Sequence, residues 1–273
     1  MLNALTIASA ALFFQAASPA DIVVTGRKPL DRGEAQKAVN AVTVAHESQI
    51  ARFQDPVCPL VVGLPLAARQ IVENEIRGVA RDVGAQVAGP KCDANLIVML
   101  AGDKKTMFAD IRRKRPDWLE GLSHREAEKI EAQPGPVMAW AVRTLRDEDG
   151  RILKIAGGNA DSSSSQVRSA SILKQTTSMG IQGAVIIIER AAVDGRSLGE
   201  IGQYAAMRGL AITRVPENGG AGTILGMFSV AEGARTLSSF DRSYLKALYA
   251  GDGRDLAVME RSRIAKAVAS PEQ

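Results

Sequence analysis

Few side chains in this 273-residue chain are equipped for covalent or metal chemistry: it holds two histidines, His46 and His124, and two cysteines, Cys58 and Cys92. A catalytic zinc needs three converging protein ligands, and a hydroxyl or thiol nucleophile needs a base within reach. Scarcity therefore excludes most metal-site and triad chemistry before any motif is read. The serine run at 162–165 has no G-x-S-x-G elbow around it and reads as a loop. GGAG at 219–222 lacks the Lys-Ser/Thr pair that completes a phosphate cradle and reads as a turn. What remains is one acid in a suggestive setting, Glu200 within SLGEIGQYAAMRGL (197–210), where Gly199 and Gln203 stand four apart on one helix face. With no metal-ligand set and no cofactor motif, the residues singled out form a candidate groove: Glu200, Gln203, Tyr204 and, further on, Met227.

Composition narrows the partners. Hydrophobic residues at 46% with 23% charged are those of a globular protein, aromatics at 4% are too sparse for a base-stacking platform, and a net charge of +4 identifies no polyanion. Nucleic acid is accordingly not an expected partner. The densest cationic run, Arg112, Arg113, Lys114 and Arg115, offers a weak contact with an anionic surface, the ordinary role of such a run being a solvated helix face.

Residues 1–20 carry no charged side chain, an apolar run from Leu5 to Phe14 and small residues at their end, the pattern of a signal peptide cleaved after Ala20. The apolar run is too short to span a bilayer. A periplasmic or secreted chain is expected, and there Cys58 and Cys92, lacking C-x-x-C spacing, pair as a structural disulfide. Closing a loop of that length contributes roughly 3–4 kcal/mol in the chain-entropy model.

The elements that must position these residues show as periodicities. After a flexible leader (21–33), helices are expected at 34–43, 65–83, 104–115, 123–133, 197–210 and 239–249. The second has Val72, Ile76, Val79 and Val83 on one face. Ser123 with Glu126, Ser197 with Glu200 and Ser238 with Asp241 are capping pairs at three of the starts. Strands are expected within 50–64, at 95–101 as an interior strand, and at 137–145, 151–157, 169–173 and 184–190. Pro56 and Pro59 confine the first to a sheet edge or its ends. Such an order is α+β, in one domain over 34–255 followed by a C-terminal tail at 256–273.

Two segments carry a resemblance. GEIGQ (199–203) stands where matrixin-like metzincin peptidases have HEIGH in the active-site helix, and LSSFDRSYLKALYAG (237–251) is similar to their closing helix. Gly209 falls where the third zinc-binding histidine of that family would be. The resemblance implies a zincin-like mixed sheet whose metal helix keeps its acid, Glu200, and has lost its imidazoles. A general base without a metal-bound water has nothing to activate. The resulting expectation is an exported, non-catalytic, zincin-like domain that binds an extended peptide or envelope protein along an edge strand beside AVIIIER (184–190) and the Glu200 helix. The alternatives are a metal-dependent peptidase with atypical ligands around Glu200, Gln203 and Tyr204, and a structural component of the cell envelope.

Overall fold

The computed structural model describes residues 30–155, 174–217, 220, 222–229 and 233–270. The expected signal peptide (1–20), residues 21–29 of the expected leader, the serine run (162–165), the strand expected at 169–173, and Gly219 and Ala221 of GGAG lie outside them. Among the described residues the fold is mixed α+β, with seven α-helices and six strands in one curled sheet.

The chain enters through α1 (Arg32–Val42). Its start is a capping box in which the Asp31 carboxylate accepts from the Glu34 N–H at 2.8 Å and Glu34 returns the bond to the Asp31 N–H. That reciprocal cap draws two residues of the expected leader into the helix. Two short strands follow, β1 (Arg52–Phe53) and β2 (Pro59–Val62), then α2 (Leu66–Asp82) and β3 (Leu96–Ala101). The Cys58–Cys92 disulfide is formed, joining the start of β2 to the loop that leads into β3.

Helices α3 (Lys104–Lys114) and α4 (His124–Glu131) precede β4 (Val137–Arg146) and β5 (Ile152–Ile155). Strand β6 (Ser178–Glu189) leads through a turn into α5 (Leu198–Leu210), and α6 (Ser239–Ala250) and α7 (Ala257–Ala269) close the chain. Sheet order is β2-β3-β6-β4-β5, parallel from β2 through β6 and antiparallel beyond, with β1 pairing the early part of β6.

Period-two alternation divides the apolar side chains between two cores. Ala184, Ile186 and Ile188 of β6 face the larger core with α2 and α5, while Val185 and Ile187 face a smaller one with Phe108, Ile111, Ile130 and Trp140. Phe108 and Trp140 meet edge to face at 5.3 Å, closing the smaller core under α3. Residues 257–269, read from the sequence as tail, are instead a helix whose Ile264, Ala265 and Val268 are buried against α1 and α6. The packed unit therefore extends past residue 255. The cationic run on α3 is charge-compensated: Arg112 pairs with Glu131, Arg113 and Lys114 with Asp110, and Arg115 with Asp117.

Candidate functional site

The four groove residues read from the sequence do not converge. Glu200 belongs to the N-terminal capping box of α5 and accepts the Ser197 N–H at 2.7 Å. Arg235 grips both of its oxygens. The Arg235 guanidinium first, and the Ser197 N–H after it, hold the Glu200 carboxyl at about 2, which leaves a feeble proton acceptor. Gln203 is a structural bolt: its amide donates to Glu75 of α2 at 2.8 Å and accepts the Leu237 N–H at 2.8 Å. Met227 is buried at the end of a short 3-10 turn, and its carbonyl accepts from Arg196.

Gly209 is still inside α5 and lies against β3, where an added Cβ would stand 2.7 Å from Leu96 Cδ1. An imidazole has no room there. The positions at which the metzincin resemblance places zinc ligands thus diverge, Gln203 toward α2 and Gly209 toward the sheet. Among the described residues no three His, Cys, Asp or Glu side chains gather as a metal-binding group. Of the four groove residues only Tyr204 lines a sizeable cavity.

That cavity, of about 820 Å³, runs along the outer edge of β4. Its walls come from α4 (Glu126, Lys129, Ile130), from α5 (Tyr204, Arg208) and from the segment 212–217, with Phe228 at one end. Tyr204 and Phe228 meet edge to face at 4.8 Å, so the aromatic wall is rigid. The floor is β4 itself. AVIIIER itself is no edge: β6 is central, bonded to β3 on one side and β4 on the other, and its main chain is committed to the ladder.

Among the described residues the open edge belongs to β4. There β5 pairs with Thr144, Leu145 and Arg146, while Val137 to Val142 pair with β6, and Val137, Ala139, Trp140 and Ala141 line the cavity. In an antiparallel pair the main-chain groups of alternate residues point away from the partner strand. Ala139 is one of these outward residues, because its N–H and C=O are both taken by the side-chain amide of Gln133, at 3.0 and 2.7 Å. Ala141, two residues on, faces the same way. Its partner Ala184 sends its own N–H to Asn95 on the opposite side. A glutamine amide offers one donor and one acceptor in peptide-like geometry, and here it occupies the place of one residue of a missing neighbouring strand.

Gln133 is itself held. The buried Lys104 ammonium donates to the carbonyls of Gln133 and Gly135, fixing the turn before β4, and Arg208 reaches the Gln133 Oε1 at 3.4 Å. The opposite sheet edge is treated differently: the outward N–H of Val61 on β2 is capped by the Glu73 carboxylate at 3.0 Å, a charge that discourages another strand from docking.

The chain matches no known protein family, no curated protein and no solved structure.

The described lining carries four cationic groups, Lys129, Arg143, Arg208 and Arg214, against two carboxylates, Glu126 and Glu217. Arg143 is spoken for, donating to Glu126 at 2.6 Å, with His46 4.0 Å from the same carboxylate. Partial burial works to raise Glu126, but the Ser123 N–H and Arg143 outweigh it and hold the group at about 2. Among the described residues the partners of Arg208 are neutral, the Thr213 carbonyl and the Gln133 amide.

Sequence reasoning named Tyr204 and missed Gln133, Arg143 and Arg208. One signal was available: Tyr204 and Arg208 are i and i+4 on α5 and share a face. Gln133 had none, because a side chain that imitates backbone leaves no trace in periodicity.

Proposed function

We propose that this protein binds an extended peptide segment by strand addition to β4, in the cleft between α4 and α5, and that it is a binding protein rather than a hydrolase. The observation that carries the proposal is the outer edge of β4, whose peptide groups at Ala139 and Ala141 face a cavity and of which the first is covered only by the Gln133 side chain. An added strand gains main-chain hydrogen bonds for affinity, and alternate side chains enter flanking pockets for specificity. Aromatic and apolar surface from Tyr204, Phe228 and Trp140 lines the cleft. Displacing one glutamine amide exchanges two hydrogen bonds for two others and costs little net free energy.

A binding reading also fits the weak basicity of Glu200 and the divergence of the Gly199, Gln203 and Gly209 positions. The metzincin likeness enters only as element order: a central strand, an antiparallel strand on its outer side, and a helix that follows the central strand. An exported location belongs to the same proposal, supported by the apolar segment at 5–14 and by a formed disulfide. No helix among the described residues is long and apolar enough to cross a membrane.

Proline at an outward-facing position removes one edge donor and spares the ladder to β6. Ala141→Pro is expected to reduce retention of a random octapeptide pool at least tenfold while the thermal transition shifts by only a few degrees. Retained peptides are expected to be recovered uncleaved with or without chelator. Undiminished retention by the folded variant would refute strand addition, and chelator-sensitive cleavage would favour the metallopeptidase alternative.

A further inference from the structure

Arg208 is 8% exposed, carries a full positive charge and, among the described residues, has no carboxylate within ion-pairing distance. Two other arginines with little exposed side chain are answered by an acid, Arg143 by Glu126 and Arg146 by Asp55, whereas Arg52, away from the cleft, meets the Leu248 and Tyr249 carbonyls. The Arg208 guanidinium instead donates to the Thr213 carbonyl and, at the long distance of 3.4 Å, to the Gln133 amide, and its Nε has no partner. A buried cation without a counterion is costly, because hydration has been removed and only neutral dipoles replace it. Both of its partners line the cleft, as does Arg208 itself. One helical turn earlier, the Tyr204 hydroxyl makes no hydrogen bond among the described residues, and burial pushes that phenol up, so it stays a proton donor.

From this arrangement, which rests on the strand-addition reading, we infer that the peptide taken by the cleft is anchored through a carboxylate, received by Arg208 with the Tyr204 hydroxyl as second donor. Gln133 couples the two events. When its amide leaves Ala139 to admit the incoming strand, it also releases the Arg208 guanidinium, whose fork matches a carboxylate in bidentate geometry. The anion can be the free C-terminus of a chain or a Glu or Asp side chain, and both present the same two oxygens.

The test uses the full chain and three pools of biotinylated random octapeptides built from uncharged residues. One ends in a free acid, one in an amide, and one in an amide with Glu at the last position. Retention of the acid pool, the Glu pool or both at least tenfold above the neutral amide pool is the expected result, and the two arms identify which carboxylate is read. In Arg208→Gln the three pools should be retained equally, at the neutral level, and Arg208→Lys should restore part of the preference. Equal retention of all pools by the wild-type chain overturns the anchor, and strand addition survives if Ala141→Pro still abolishes binding. A carboxylate preference that persists in folded Arg208→Gln assigns it to the general positive field and also overturns the anchor. Retention of no pool overturns both readings. Should neither Arg208 variant fold, the wild-type comparison of the three pools still decides.

Discussion

Glu260 shows how far a single residue in this fold departs from its ordinary chemistry. It lies on the inward face of α7, 1% exposed, with Arg263 donating to one oxygen at 2.8 Å and the other oxygen without a partner. Burial raises its carboxyl to about 7, against the opposing pull of Arg263 and Arg52 and with the help of Asp255 and Asp252. A folded value above the unfolded one, near 4.5, means that the native state holds the proton more tightly. Its stabilising contribution is therefore complete below about pH 4.5 and is lost as pH rises through about 7, by roughly 3 kcal/mol in all. Glu260→Gln keeps an acceptor for Arg263 and removes the titration. The stability of the variant relative to wild type, from urea unfolding, is expected to increase from pH 5 to about pH 7 and to level off above it. A difference that stays flat over that range would mean the carboxylate is not desolvated. Glu200 lies at the opposite extreme, ionised and doubly held, and that contrast separates a cap from a general base.

At the scale of elements, much was legible because local rules and the tertiary structure agree. The capping pairs at Ser123, Ser197 and Ser238 all form, and the stripe Val72, Ile76 and Val79 is the buried face of α2. Elements were lost where a polar residue occupies an inward position. The inward face of α7 reads Ala257, Glu260, Ile264, Ala265 and Val268, and a glutamate on that stripe hides its periodicity. Partner order was not legible either. AVIIIER is apolar enough for a central strand, as its length of ladder confirms, yet nothing local says that β4 and not β6 keeps a free edge. Among the described residues that edge is covered at Ala139 by a glutamine from the preceding turn, a contact that no periodicity announces.

Helix α7 gives the element scale its own prediction. Ending the chain at residue 255 would remove the helix packed against α1 and α6, whose buried residues include Ala35, Val39 and Leu248. It would also delete Ile264 and Val268, whose burial is worth about 1.5–3 kcal/mol each. Against a total stability of about 5–15 kcal/mol, that loss is large. The truncated chain is expected to lose its cooperative urea transition or to unfold at a midpoint at least 1 M lower. An unchanged transition would return this segment to the status of a tail.

Among the described residues the sheet is asymmetric, with one edge defended and one open. On the β2 side, Glu73 places a charge against the outward N–H of Val61. On the β4 side the neutral Gln133 amide covers Ala139, the cavity beyond it is bounded by an aromatic wall, and the buried Arg208 guanidinium has no acid partner among the described residues. Lys104 and Arg208, from helices on opposite faces of the sheet, both fix Gln133, so the covering group is positioned by the fold and not by its own turn alone. The most direct test is residue-resolved amide hydrogen exchange on the full chain, with and without a saturating random octapeptide pool. The Ala141 amide is predicted to slow at least tenfold on peptide addition, while the β6 amides, already bonded, stay as they were; an Ala141 amide that exchanges at the same rate with peptide bound would contradict strand addition at β4.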